Sequence, residues 1–165
     1  MYYYWDLPER RSGGSMTKYA VQVATPEHGE YVARHIRVED AEECVASFMQ
    51  PAEAIQYSLE NSHMAWTWTV DEVPAAIGGI MIISVLSSDA CPWLLTTPMV
   101  EDHKIAFARM TKRFYEAVKF GLDLNINACI DSRYLRAIEW AKWLGLKING
   151  PQPIGKDGAN FNMVN

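Results

Sequence analysis

Proton-transfer chemistry in this chain has two carboxylate candidates, Glu101 and Asp131, each placed where an extended run gives way to a helical one. Asp131 follows the alternating stretch 124–130 and precedes Ser132, so helix capping is its competing role: a carboxylate there accepts the free N–H groups of a first turn. Three further carboxylates, Asp40, Glu42 and Glu43, fall near the start of a helical stretch, where the helix dipole and water suffice to stabilise them. Other reaction types find less support. His28, His35, His63 and His103 have neither H-x-x-x-H nor H-E-x-x-H spacing, so no metal site is expected and each reads as a surface or hydrogen-bonded histidine. Ser84, Ser87 and Ser88 lack a G-x-S-x-G elbow, and no P-loop or dinucleotide fingerprint occurs. Gly78 and Gly79 read as a structural pair, at a bulge or where another backbone comes close. Cys44, Cys91 and Cys129 are an odd number at wide spacing without C-x-x-C, as expected of reduced, inert thiols in a cytosolic compartment.

The chain must position these groups within one domain. It has 165 residues, 49% of them apolar, enough for one core. The net charge is −5 and the basic residues are scattered, so no stripe tracks a nucleic-acid backbone. The longest apolar run, 75–86, is shorter than the roughly 20 residues of a membrane helix and contains two glycines. Residues 1–15 end in Ser12-Gly13-Gly14-Ser15 and precede Met16, which marks them as an appendage or linker and leaves 16–165 as the folded unit. Their composition is not that of a signal peptide.

Residues 18–24 alternate as a strand, and Thr25-Pro26-Glu27 supplies a cap, a first-turn proline and a dipole-matched carboxylate for a helix over 27–36. Short helical stretches follow at 39–48 and from Pro51 to about 61. In 64–70 Trp66, Trp68 and Val70 share one face of a strand and the threonines the other. After a turn at 71–74, residues 75–85 read as a central strand covered on both faces. A strand at 91–97 stops at Pro98, and Phe107, Met110, Phe114 and Val118 give a long helix over 101–122 its core stripe. The strand 124–130 leads into a helix over 133–144, with Gly145 where a left-handed C-cap belongs, and short extended pieces at 146–148 and 161–164 close the chain. Trp66, Trp68 and Trp93 are expected in the core, and Trp140 and Trp143 nearer the surface.

This element order, together with the stretch 127–146 in which Asp131-Ser132-Arg133-Tyr134 opens a helix ending Leu144-Gly145-Leu146, resembles the GNAT N-acyltransferase fold. Trp93-Leu94-Leu95-Thr96-Thr97, Pro51-Ala52-Glu53-Ala54-Ile55 and the acidic positions Asp40, Glu42 and Glu43 are similar to GNAT-like internal virion proteins of short-tailed phages. The resemblance implies an α/β (α+β) fold with a mixed, mostly antiparallel central sheet flanked by helices. It also implies an acetyl-CoA site on Leu95, Thr96, Thr97, His103 and Lys104, with Asp131 and Glu101 as bases toward an amine.

Two departures matter. GNAT enzymes hold the acyl-CoA diphosphate on amides of a Gly-rich loop, whereas 96–104 contains no glycine, includes Pro98 and carries Glu101 and Asp102. The usual acid, a tyrosine in the last helix, falls on Ala141, and Tyr134 lies two turns earlier. The expectation is therefore a degenerate acyltransferase acting as a phage protein in virion assembly, ejection or host interaction, found in the host cytoplasm or the virion and meeting a phage or host protein. The alternative is an active acetyl-CoA-dependent N-acyltransferase; neither nucleic acid nor a metal is expected.

Overall fold

A computed structural model of the chain describes residues 17–121 and 123–165, and the expected appendage at 1–15 lies outside them. The chain enters as β1 (Tyr19–Val23) and passes through α1 (Pro26–Arg34), α2 (Val38–Ala46) and α3 (Pro51–Asn61). A meander of β2 (Met64–Val70), β3 (Val73–Ser84) and β4 (Asp89–Thr96) leads to α4 (Met99–Asp102) and α5 (Lys104–Gly121). The last part comprises β5 (Asn125–Ile126), β6 (Ala128–Asp131), α6 (Leu135–Leu144), β7 (Ile148–Gln152), a 3-10 turn (Lys156–Gly158) and β8 (Phe161–Val164).

Local chemistry accounts for several boundaries. The Thr25 hydroxyl accepts the His28 N–H at 3.3 Å, with Pro26 in the first turn of α1. Gly145 ends α6 with φ +93°, a conformation that costs glycine little. Gly79 is required by close approach: a Cβ there would lie 2.7 Å from Nε1 of Trp93, whose indole crosses it to donate to Ser62 Oγ at 2.8 Å. The sheet has bulges on either side of the glycine pair, at Trp68/Thr69 and Ile82/Ser84, and not at the pair itself.

Five strands form the larger sheet in the order β1-β2-β3-β4-β5, antiparallel except for β4 with β5; β6-β8-β7 form a second, antiparallel sheet. Both faces of the larger sheet are covered. Ile77 packs with Val32 and Ile55 on the side of α1 and α3, while Ala76 and Trp68 pack with Met110 on the side of α5. Each large apolar side chain buried this way stabilises the fold by about 2–3 kcal/mol. Coverage of both faces also explains why Thr67 and Thr69 are as buried as Trp68.

Two expected elements are interrupted and a third starts later than expected. The run 124–130 is not one strand: β5 pairs with β4 only at Asp89↔Asn125 and Ala90↔Ile126, and β6 then joins β8 in the other sheet. At the break the Asn127 N–H donates to the Ala90 carbonyl at 2.8 Å and its amide to Asp89 Oδ1 at 3.2 Å. The helix expected over 101–122 is broken at His103 (φ −121°), whose Nδ1 lies 3.0 Å from the Tyr19 hydroxyl on β1, although its end at Gly121 falls where expected. The helix expected from Arg133 begins at Leu135. The strand break shapes the site: the ladder to β4 ends at Ala90↔Ile126 and β6 pairs with β8 instead, which leaves a gap between β4 and β6.

Candidate functional site

The gap opens into a cleft of about 570 Å³ lined by Trp93, Leu95 and Thr96 of β4, Cys129 and Ile130 of β6, Trp140 of α6 and Glu43 of α2. Its walls are mostly apolar, and its polar groups converge from α2, from Thr96 at the end of β4, from Glu101 of α4 and from Tyr134 before α6. Trp140, expected nearer the surface, is half-buried and stacks with Phe107 at 6.4 Å; Trp143 is exposed, with the Lys112 ammonium 5.4 Å from its ring centre.

Helix α2 carries the site's acid–base groups. Asp40 and Glu43 are three apart and so share one side of the helix, which is turned to the cleft, while Glu42 is exposed. The reading of all three as solvated carboxylates at a helix start therefore holds for Glu42 alone. Asp40 is 3% exposed. Its Oδ2 accepts the Thr96 N–H at 2.8 Å and the Thr96 hydroxyl at 2.5 Å, and its carboxylate also accepts from the Tyr134 hydroxyl. Burial raises its pKa despite these donors and the nearby Arg37 charge. Glu43 Oε1 accepts the Asp131 N–H at 2.7 Å. Burial, reinforced by the Asp40 and Asp131 carboxylates, pushes Glu43 up to about 7, where a carboxylate is an effective base at neutral pH.

The two carboxylates expected to act as bases are both committed elsewhere. Asp131 is 2% exposed at the end of β6, and its oxygens accept from Arg133: the backbone N–H at 2.9 Å, Nε at 3.0 Å and Nη2 at 2.6 Å. It caps the turn before α6 and not the helix itself, whose N-cap is Tyr134. The Arg133 bonds hold its carboxyl below the usual range. Glu101 Oε1 lies 2.6 Å from Arg136 Nη1 and 3.1 Å from Arg37 Nη2, so its charge is met by two guanidinium groups and is not directed at a ligand.

The residues expected to receive acetyl-CoA are in the cleft or beside it. Leu95, Thr96 and Thr97 are buried. The Thr96 N–H goes to Asp40, and the Thr97 N–H goes to the Ala75 carbonyl at 2.9 Å, as does its hydroxyl at 3.2 Å. Neither amide is free for a phosphate oxygen. His103 is bound to Tyr19, whereas Lys104 is exposed at the cleft. Ala141, at the position of the expected tyrosine, is buried, and Tyr134 instead reaches the cleft from the start of α6; burial and the Asp40 charge raise its pKa, so it holds its proton firmly.

No protein-family model and no curated protein sequence matches the chain. Solved structures do. An acetyltransferase of the GNAT family from Bacillus anthracis superposes with a TM-score of 0.67 at 8% identity, covering 88% of this chain and 92% of that one. A Vibrio cholerae and hSSAT chimera of spermidine N-acetyltransferase SpeG gives 0.65 at 11%, covering 88% and 93%, and yncA of Salmonella typhimurium, solved with its cofactor acetyl-CoA, gives 0.66 at 8%, covering 89% and 92%. The fold is that of the GNAT acetyltransferases.

Strands β4 and β6 thus flank a mostly apolar cleft, and the amides of Thr96 and Thr97 at the end of β4 are already bonded within the chain. Among the described residues no cluster of three or more His, Cys, Asp or Glu could hold a metal, and no helix is long and apolar enough to cross a membrane.

Proposed function

We propose that the chain is an N-acyltransferase that accepts an acyl thioester in the gap between β4 and β6 and passes the acyl group to an amine. The observation that carries this reading is Glu43: a carboxylate with a pKa of about 7, lining an apolar cleft and fixed by the Asp131 N–H. A thioester such as acetyl-CoA would supply the activated acyl carbon. Glu43 takes the proton of the attacking amine, and Asp40 holds α2 to the end of β4 through Thr96, so that the base is presented at a fixed depth. With no tyrosine at position 141, the C–S bond breaks as the C–N bond forms without a dedicated acid at the sulfur, and the proton taken up by Glu43 passes to the departed thiolate or to water, which leaves neutral amide and thiol.

The test is thiol release from acetyl-CoA in the presence of small primary amines and amine-bearing peptides. Turnover that disappears in Glu43→Gln with the fold intact supports the proposal. Absence of turnover together with absence of calorimetric binding at millimolar acetyl-CoA overturns it. That outcome would favour a second reading, a non-catalytic component of a phage particle or its host interaction, in the host cytoplasm or the virion. The committed amides of Thr96 and Thr97 are the observation in its favour.

A further inference from the structure

Two guanidinium groups at the cleft converge on a single carboxylate oxygen. Arg37 Nη2 stands 3.1 Å and Arg136 Nη1 2.6 Å from Glu101 Oε1. The two arginines are held very differently. The Arg37 side chain is 11% exposed, lies over the Tyr134 ring at 5.8 Å, and has Glu39 3.7 Å from its Nε; its buried Nη2 is near Glu101 without making a hydrogen bond of good geometry. Arg136 is 69% exposed and Glu101 44%, so these two can rearrange at little cost. Lys104 and both arginines line the same cleft. A guanidinium fixed by packing with an unsatisfied buried donor, facing a second guanidinium, forms a fork suited to a phosphate oxygen.

We propose that Arg37, Arg136 and Lys104 form a side-chain seat for phosphate groups, and that Glu101 occupies this seat in the free protein as a built-in competitor. The assignment of the phosphate to a thioester donor rests on the acyltransferase reading; the seat itself does not. The backbone amides of Thr96 and Thr97 are used up, and the cations that line the cleft beside them are side chains: Arg37, Lys104 and Arg136. A phosphate carries more charge than the carboxylate it displaces, and Glu101, on the single turn of α4 beside the break at His103, has solvent to withdraw into. Affinity is thereby reduced by the competing carboxylate and falls as salt screens the cations.

Inorganic pyrophosphate titrated calorimetrically into the full chain at low ionic strength tests the seat. Glu101→Gln is expected to bind about tenfold more tightly than the unsubstituted chain, as follows from removing one adjacent like charge, and Arg136→Gln in that background is expected to abolish the gain. Equal or weaker binding by a folded Glu101→Gln protein overturns the proposal. Should that variant not fold, the exposed pair Lys104→Gln and Arg136→Gln in the otherwise unchanged chain decides: weaker pyrophosphate binding supports the seat, unchanged binding removes it. A pyrophosphate gain with neither thiol release nor acetyl-CoA binding leaves the seat standing and removes the acyltransferase reading, and thiol release without the gain does the reverse.

Discussion

Replacing Glu43 with glutamine isolates the electrostatic cost of the proposed base from its chemistry. Glutamine keeps the shape and can still accept the Asp131 N–H at 2.7 Å through its carbonyl, so the variant differs from the protonated form of Glu43 by little. In the folded chain the carboxyl is raised from 4.5 to about 7, chiefly by burial, whereas in the unfolded chain it ionises in the ordinary range. Between these values the folded state holds a proton that the unfolded state has lost, so stability falls as pH rises through this window and levels off above it. The span corresponds to about 3 kcal/mol, an upper figure because water reaching a half-buried group reduces it. Urea unfolding of both proteins from about pH 5 to about pH 8 reads the effect. Near pH 5 the two should be similar; near pH 8 Glu43→Gln should be more stable by about 1–3 kcal/mol, while amine acylation is lost. The comparison cancels titrating groups that do not interact with Glu43, such as His28. Parallel loss of stability in both proteins across this range would refute the assignment of a strained, near-neutral base to Glu43.

Asp131→Ala removes the acceptor of three Arg133 donor groups and should lower stability by about 1–2 kcal/mol at neutral pH, measured by chemical denaturation. Because the folded carboxyl is held below its ordinary value, this contribution is present above the unfolded pKa and disappears as pH falls through the folded one, so the two proteins should converge in acid. Gly79→Ala places a methyl 2.7 Å from Trp93 Nε1, 2.8 Å from the Met64 carbonyl and 2.9 Å from Ser62 Oγ. It should cost about 2 kcal/mol or more and alter tryptophan emission as the indole is forced off Ser62; unchanged stability and spectrum would contradict the close approach.

Period and punctuation carried most of the architecture. Alternation found the meander, the stripe from Phe107 to Val118 found α5, and Thr25-Pro26 and Gly145 marked helix ends whose chemistry is local. What lies between the two sheets was not legible, because strand register depends on partners distant in sequence. Residues 124–130 alternate without a flaw, and nothing in them says that Asn127 will be drawn to Ala90 and Asp89 and that pairing will pass from β4 to β8. The break at His103 is of the same kind, resting on Tyr19, which is 84 residues away.

The roles of the carboxylates are hard to read from sequence for a related reason. A carboxylate near a helix start is stabilised equally well by the dipole and water or by buried donors from another element, and sequence distinguishes these only through spacing. Asp40, Glu43 and Cys44 fall on one face and Glu39 and Glu42 turn away, a weak amphipathic signal that did separate the half-buried base from its solvated neighbours. Glu101 and Asp131 stand at element ends, where sequence offers both as bases and Asp131 also as a cap. Each had a guanidinium partner supplied by the fold: Arg133 two positions on for Asp131, Arg37 and Arg136 from different helical regions for Glu101. A free carboxylate and a paired one differ in what surrounds them, and here pairing disarmed the two exposed to cations while burial without a cation raised Glu43 toward neutrality. Burial beside two carboxylates, with no cation among the described residues to offset it, raises Glu43 toward neutrality and is the ground on which the proposed base rests.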